Sequence, residues 1–288
     1  MIAEGAGHFR QPRLVERIAR RLSGVPMSAA LRSRLKRWYV AVLSAQTGGR
    51  GLQASLPGGE VVRVLPEFGH IGWNPDEYRA FREAVRPGMT ALDVGANVGG
   101  YALLLGQWVG AGGAVHAFEP APTAYDGLAR HVTLNELEGV VHPVRLAAGA
   151  RSSVRPMFVA ESHGESRLAL QSGSGQSSAG SRGPATIDVV VTTIDEYCRQ
   201  FALEPGFIKI DVEGAELDVL RGARETIRRC RSRLALFVEM HPTVWPQIGV
   251  SRQDVESELR AQSLDISPLV PASDIWALEG LCVRLVPR

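Results

Sequence analysis

From residue 89 onward the chain alternates two kinds of hydrophobic pattern. Short apolar runs with the length of strands are read at Ala91–Val94, Ala114–Phe118, Val140–Leu146, Phe207–Val212 and Arg233–Met240. Between them lie segments whose apolar residues recur every three to four positions, predicting helices over Val98–Val109, Ala121–Asn135, Ala215–Arg229 and Ser251–Gln262. Such alternation predicts an α/β fold with a mostly parallel sheet covered by helices on both faces. Two further strand-like runs, Asp265–Val270 and Trp276–Val286, are joined closely enough to form an antiparallel pair.

Ahead of this core, Gly51–Phe68 predicts a β-hairpin: Leu52–Leu56, a Pro57-Gly58-Gly59 turn, then Val61–Leu65. A short helix over Asp76–Val85 follows. The first 50 residues predict two basic amphipathic helices, Pro12–Leu22 and Ser28–Ala45. One insertion interrupts the strand–helix rhythm at about residues 151–192: a strand over Val154–Val159, a Ser/Gly-rich tract over Gln171–Gly183, and a strand over Ile187–Val191. The tract has the composition of a flexible loop or of a lid that orders over substrate. The expected organisation is therefore a basic extension (1–50), a hairpin and helix leading inward (51–88), and the main domain (89–288).

Charge sharpens this division. The 288 residues sum to +2, yet the first 50 hold ten basic and two acidic side chains while the other 238 hold 22 and 28. An acidic body lacks the basic face that nucleic-acid binding needs, so no nucleic-acid partner is expected. The basic head suits a solvated flank, a peripheral membrane surface or protein partner through residues 1–45, or a transit peptide. Three widely separated cysteines, Cys198, Cys230 and Cys282, fit neither a disulfide framework nor a zinc ligand set, which points to a reducing cytoplasm. No apolar run approaches the roughly 18 residues of a membrane span, and the head lacks the apolar core of a secretory signal.

The stretch Thr90–Gly100 carries the first chemistry. An apolar strand runs into Asp93, and Gly95, Asn97 and Gly99 then space a tight turn into a helix. Glycines let backbone approach a ligand, and a helix N-terminus attracts a carboxylate or phosphate. The next strand ends at Glu119, placed to accept hydrogen bonds from ribose hydroxyls. A dinucleotide fingerprint would carry glycine where Asn97 stands. The acid at Asp93 suits a cofactor with a cationic amino-acid end, which favours S-adenosylmethionine.

The second signature is Phe207–Glu216, FIKIDVEGAE, in which Lys209, Asp211 and Glu213 share one strand face by alternation. The third is Glu239-Met-His241 at the end of the fifth strand. Three uses of His241 stand open. It is a general base that deprotonates a hydroxyl acceptor, with Asp211 or Glu239 orienting it. It is a ligand, with Asp211, Glu213 and Glu239, in a divalent metal (Mg) site, a metal the reading leaves open without expecting it. Or it is a structural, hydrogen-bonded histidine. Trp245 is placed to stack on an acceptor ring or to pack in the core. The Asn74–Tyr78 stretch lacks the second proline of an amino-methylation turn, so amino-methylation is not expected.

In order along the chain come D-V-G-A-N-x-G, F-E-P-x-P, L-N-x-L, T-I-D, I-K-I-D-V-E-G-A-E-x-x-V-L-x-G and E-x-H. Together these motifs resemble the FkbM-type methyltransferases, from about Pro66 to His241. The resemblance implies a class I (Rossmann-like) methyltransferase fold: a seven-stranded sheet with one antiparallel C-terminal strand. It implies S-adenosylmethionine-dependent O-methylation of a sugar, glycan or natural-product hydroxyl. It carries the cofactor role to Asp93, Gly95, Asn97, Gly99 and Glu119, and the active face to Asp211, Glu213, Glu239 and His241. Ala147 and Ala148, after the third strand, are expected to line the adenine. His131 stands where such sequences often carry Asn, a departure from which little consequence is expected. A homo-oligomer stays open, and the rival to catalysis is a non-catalytic S-adenosylmethionine-binding module acting through its basic head.

Overall fold

The computed structural model describes residues 8–9, 29–69, 71–158, 167–168, 186–271, 274–277 and 280–288. The expected helix at Pro12–Leu22 and the tract at Gln171–Gly183 lie outside these described residues. In chain order the elements begin with β1 (His8–Phe9), α1 (Ala29–Gln46), β2 (Leu52–Ser55), β3 (Val61–Val64) and α2 (Pro75–Ala84). The core continues with β4 (Thr90–Val94), α3 (Gly100–Val109), β5 (Ala114–Phe118), α4 (Pro122–Leu134) and β6 (Val141–Val144). The inserted part comprises β7 (Ala147–Ala148), β8 (Ser153–Phe158), β9 (Arg167–Leu168) and β10 (Thr186–Thr192). Then follow α5 (Ile194–Gln200), β11 (Phe207–Ile210), α6 (Glu216–Arg221), α7 (Arg224–Cys230), β12 (Ala235–Met240), α8 (Arg252–Ala261), β13 (Leu264–Pro268) and β14 (Leu281–Pro287).

Seven strands form the central sheet in the order β13-β14-β12-β11-β4-β5-β6. The interior pairs from β12 to β6 are parallel, and β14 runs antiparallel to both of its neighbours. This is the class I methyltransferase sheet that the motifs imply. The side-chain period of two sorts its residues between the faces. Ala91, Phe207 and Phe237 join one apolar cluster with Trp73, Phe81 and Leu103, while Leu92, Ile208 and Val238 join a second with Leu217 and Ile227. Both faces are thus buried under helices, as a parallel sheet requires.

The segment before the sheet is built into the same core. Leu52, Val62 and Val64 of the hairpin lie in the cluster of Ala91 and Leu103. Asn74 caps α2, its side chain accepting from the Asp76 and Glu77 amides, so the stretch that superficially resembles an amino-methylation turn is a helix start. His131 proves consequential, against expectation. It is wholly buried on α4; Nδ1 donates to the Val98 carbonyl at 2.7 Å, and Nε2 accepts from the Leu65 amide at 2.9 Å. One imidazole therefore ties the hairpin to the turn that precedes α3.

Three readings need correction. The helix expected over Ala215–Arg229 is two, α6 and α7, broken near Gly222, where a Cβ would sit 2.0 Å from the Gly149 carbonyl oxygen. The alternation read through Glu213 stops at Ile210, since Glu213 and Gly214 take left-handed backbone (φ 51° and 106°). Trp276 lies in a turn before β14 and not in the strand. A second sheet, β7-β10-β8-β9, flanks the first; the insertion's two expected strands, β8 and β10, pair antiparallel within it.

Candidate active site

The same alternation that builds the core also gathers the polar site. Asp93, Lys209 and Glu239 point to the face of Ala91, Phe207 and Phe237, one residue pair nearer the carboxyl ends of β4, β11 and β12. Ligands of open α/β sheets sit beyond those ends. Asp93 and Lys209 are direct register partners, with Nζ 3.6 Å from Asp93 Oδ1 and 3.0 Å from Asp211 Oδ2. Burial works against the ammonium, but the charges of Asp211, Asp93 and Glu239 outweigh it and hold its pKa well above that of a free lysine. Lys209 is thus a fixed cation between two carboxylates, 5.5 Å from the centre of the Tyr101 ring.

The glycine turn is locked to its neighbours by backbone. The Gly95 and Ala96 amides both donate to the Phe118 carbonyl, at 3.1 and 2.9 Å. Gly95 has φ +84°, and a Cβ there would lie 1.7 Å from the Asp211 carbonyl oxygen. Its glycine is therefore demanded by close approach of two backbones, before any ligand is considered. Gly99, at φ +95°, starts α3. The Asn97 amide donates to Glu119 Oε2 at 2.9 Å, and the Ala121 amide to Oε1 at 2.8 Å. Burial pushes the Glu119 carboxyl up to about 7.

The residues at this end fit a cationic cofactor. Asp93 is wholly buried beside Lys209, and among the described residues neither of its carboxylate oxygens accepts a well-formed hydrogen bond; nor does the buried side-chain oxygen of Asn97. Burial raises the Asp93 carboxyl above the usual carboxylate range despite Lys209. Buried acceptors lacking donors are costly, and an ammonium or hydroxyl ligand removes the cost. Of the expected adenine pair, Ala147 packs with Val98, Ala121 and Ala124 beside the turn, whereas Ala148 belongs to the core cluster of Leu92 and Phe118.

His241 follows β12 and is buried. Its Nδ1 lies 2.8 Å from Glu216 Oε1, and its Nε2 lies 3.7 Å from both Glu213 Oε2 and Glu239 Oε1. The carboxylate that orients the imidazole is thus Glu216, in place of the expected Asp211 or Glu239. Glu216 has no exposed surface and also accepts from the Gly214 amide at 2.7 Å and from Trp245 Nε1 at 2.8 Å. Trp245 is consequently a core residue pinned to that carboxylate, not a ring free to stack on an acceptor. Burial lowers the imidazole pKa, but the Glu216 hydrogen bond and the charges of Glu216, Glu213 and Asp211 win and hold it up at about 9. Burial, reinforced by Asp211, raises Glu239 to about 8.

Two acids were missed by sequence reasoning. Glu216 was visible as part of the I-K-I-D-V-E-G-A-E motif, but helix position alone gave it no partner. Glu77, buried on α2 against Tyr101, faces Lys209 and Asp211, and burial raises its carboxyl. Nothing in its local sequence signals a place in the site. The assembled face holds Glu77, Asp93, Asp211, Glu213, Glu216 and Glu239 against the two cations Lys209 and His241.

The sequence matches the family model described as Methyltransferase FkbM domain over residues 93–264. This chain belongs to the FkbM methyltransferase family. A curated relative, methyltransferase sdnD of Sordaria araneosa, is 26% identical over 198 residues, covering 61% of this chain and 73% of its own. Among solved structures, fibrillarin of Aeropyrum pernix with natively bound S-adenosylmethionine aligns over 82% of this chain and 93% of its own, with 15% identity and a TM-score of 0.43. An S-adenosylmethionine-dependent O-methyltransferase of Thermotoga maritima aligns over 82% and 77%, with 13% identity and a TM-score of 0.39. The FkbM-family motifs thus coincide with the buried polar face: the match begins at Asp93 and runs beyond His241.

Proposed function

We propose that this FkbM-family methyltransferase methylates a hydroxyl group of a sugar, glycan or natural product, with His241 as the general base. The observation that carries this reading is the Glu216–His241 pair. A buried carboxylate on Nδ1 fixes the tautomer and leaves Nε2 as the nitrogen that exchanges protons.

S-adenosylmethionine supplies, when bound, an electrophilic methyl group on a sulfonium. Asp93 and Asn97 receive its amino-acid end, and Glu119 accepts from its ribose through the lone pairs that the Asn97 and Ala121 amides leave unused. Ala147 is the small residue beside the turn that leaves room for the adenine. His241 Nε2 takes the proton of the acceptor hydroxyl, and Glu216 stabilises the imidazolium so formed. An imidazole at about 9 is largely protonated at neutral pH. A cationic ligand among the site's carboxylates offsets the charges that raise it, so cofactor binding lowers its pKa toward the working range. The reactants' alignment supplies much of the rate.

One observation supports a second reading of the proton step. Asp211, Glu239 and His241 each offer a ligand atom, and these atoms all lie within 4.8 Å of one another. A divalent ion held there would acidify the hydroxyl in place of the imidazole. The deciding experiment is methyl transfer from labelled S-adenosylmethionine to a panel of sugars and hydroxylated metabolites, with and without EDTA. Transfer that resists EDTA and falls by roughly 10²–10⁴ in His241→Ala supports the base. Transfer abolished by EDTA and restored by magnesium supports the metal, and transfer to none of the hydroxyls sinks both.

A further inference from the structure

The methyl-transfer reading leaves helix α1 without a role. Its carboxyl-terminal half is seated on the body: Leu43 is buried in the core, and Tyr39 and Val42 pack against it. The opposite side is open among the described residues. At 100° per residue Leu31, Arg34, Trp38, Ala41 and Ala45 fall along one stripe flanked by Arg37, and all six are exposed. Trp38 is 54% exposed and Leu31 47%, the two exposed large apolar side chains of this helix. The 18 residues of α1 hold four basic side chains, Arg32, Arg34, Lys36 and Arg37, and no acid.

We propose that this stripe docks the protein on an anionic lipid surface. A tryptophan and a leucine spaced two turns apart give an apolar edge that enters the headgroup boundary, and the arginines beside them meet lipid phosphates. Charge sets the orientation. Ten basic against two acidic residues in the first 50 are attracted to such a surface, while the net-acidic remainder of the chain is repelled by it. The contact is peripheral, since no described helix is long and apolar enough to cross a membrane.

The test is co-sedimentation of the full chain with phosphatidylcholine vesicles, alone or carrying about 30% phosphatidylserine. Binding is expected only to the anionic vesicles and is expected to weaken in about 0.5 M salt. Trp38→Ala and the pair Arg34→Glu/Arg37→Glu are each expected to reduce it by about tenfold or more, with S-adenosylmethionine binding unchanged as the measure of folding. Failure to bind anionic vesicles at low salt overturns the proposal. So does binding that survives Trp38→Ala, which is adsorption by charge alone. A dimer in sedimentation equilibrium that Trp38→Ala dissolves assigns the stripe to a second copy of the chain and overturns it too.

Discussion

Glu216 and His241 meet 2.8 Å apart, the carboxylate with no exposed surface at all. Because that bond and its charge raise the imidazole, Glu216→Gln is expected to lower the His241 pKa from about 9. The rate–pH profile of methyl transfer is expected to move toward acid by about one unit, with cofactor affinity retained. Stability is expected to fall by roughly 1–3 kcal/mol, since an amide cannot accept from Gly214, His241 and Trp245 together. A structural role alone would lower stability and leave the pH profile in place.

The free protein is expected to lose stability as pH rises from about 6.5 to about 9. His241 is raised from 6.5 to about 9, so its contribution is complete below 6.5 and is lost as pH climbs through 9. Glu119 and Glu239 are raised from 4.5 to about 7 and about 8, so the native state retains protons that the unfolded chain releases near 4.5. These three groups share one sign: the folded state binds more protons, and raising pH favours unfolding. Below 6.5 the buried His116, which burial lowers from 6.5 to about 4, and His131, also lowered by burial, give the opposite sign, so the net loss is read above 6.5. Melting temperature against pH measures the slope, and His241→Asn is expected to remove its part above 6.5. S-adenosylmethionine, by adding cations, is expected to flatten what remains.

Asp93 and Lys209 separate binding from folding. Asp93→Asn removes a buried carboxylate whose oxygens accept no well-formed hydrogen bond among the described residues and leaves Lys209 paired with Asp211, so the free protein is expected to stay folded while cofactor affinity falls by about tenfold or more. Lys209→Met leaves Asp93 and Asp211 without their shared cation and is expected to cost about 3–5 kcal/mol. The double variant is expected to recover part of that loss, and chemical denaturation of the four proteins measures the coupling.

Two left-handed glycines offer a matched comparison. Gly95→Ala drives a methyl group into the Asp211 carbonyl and is expected to cost roughly 3 kcal/mol or more. At Gly249, φ is +69° and ψ 20°, and among the described residues nothing lies within 4 Å of the added carbon, so Gly249→Ala is expected to cost only the left-handed backbone strain of roughly 1–2 kcal/mol. Equal losses in urea denaturation would refute the close-approach account of Gly95.

The core and the cofactor end were legible because local rules decide them. Period-two and period-3.6 patterns give the strands and helices, and Asp93, Gly95 and Glu119 fall at strand ends in any such sheet. What escaped depends on packing between distant segments. His131 could be read only as a substitution within a helix, since its two partners, Leu65 and Val98, are 66 and 33 residues away. Glu77 enters the site because α2 lays Phe81 against Phe207 and Phe237 of the sheet, a tertiary fact. Alternation through Glu213 failed because the chain takes left-handed backbone there, a turn that glycine at 214 announces only in part.

The contact between Gly95 and Asp211 has a mechanical consequence. With no slack between the cofactor turn and the end of β11, neither can shift without carrying the other. A ligand that tightens the turn therefore also sets where Asp211 and Lys209 stand, and the acceptor meets a floor already in register with the methyl donor.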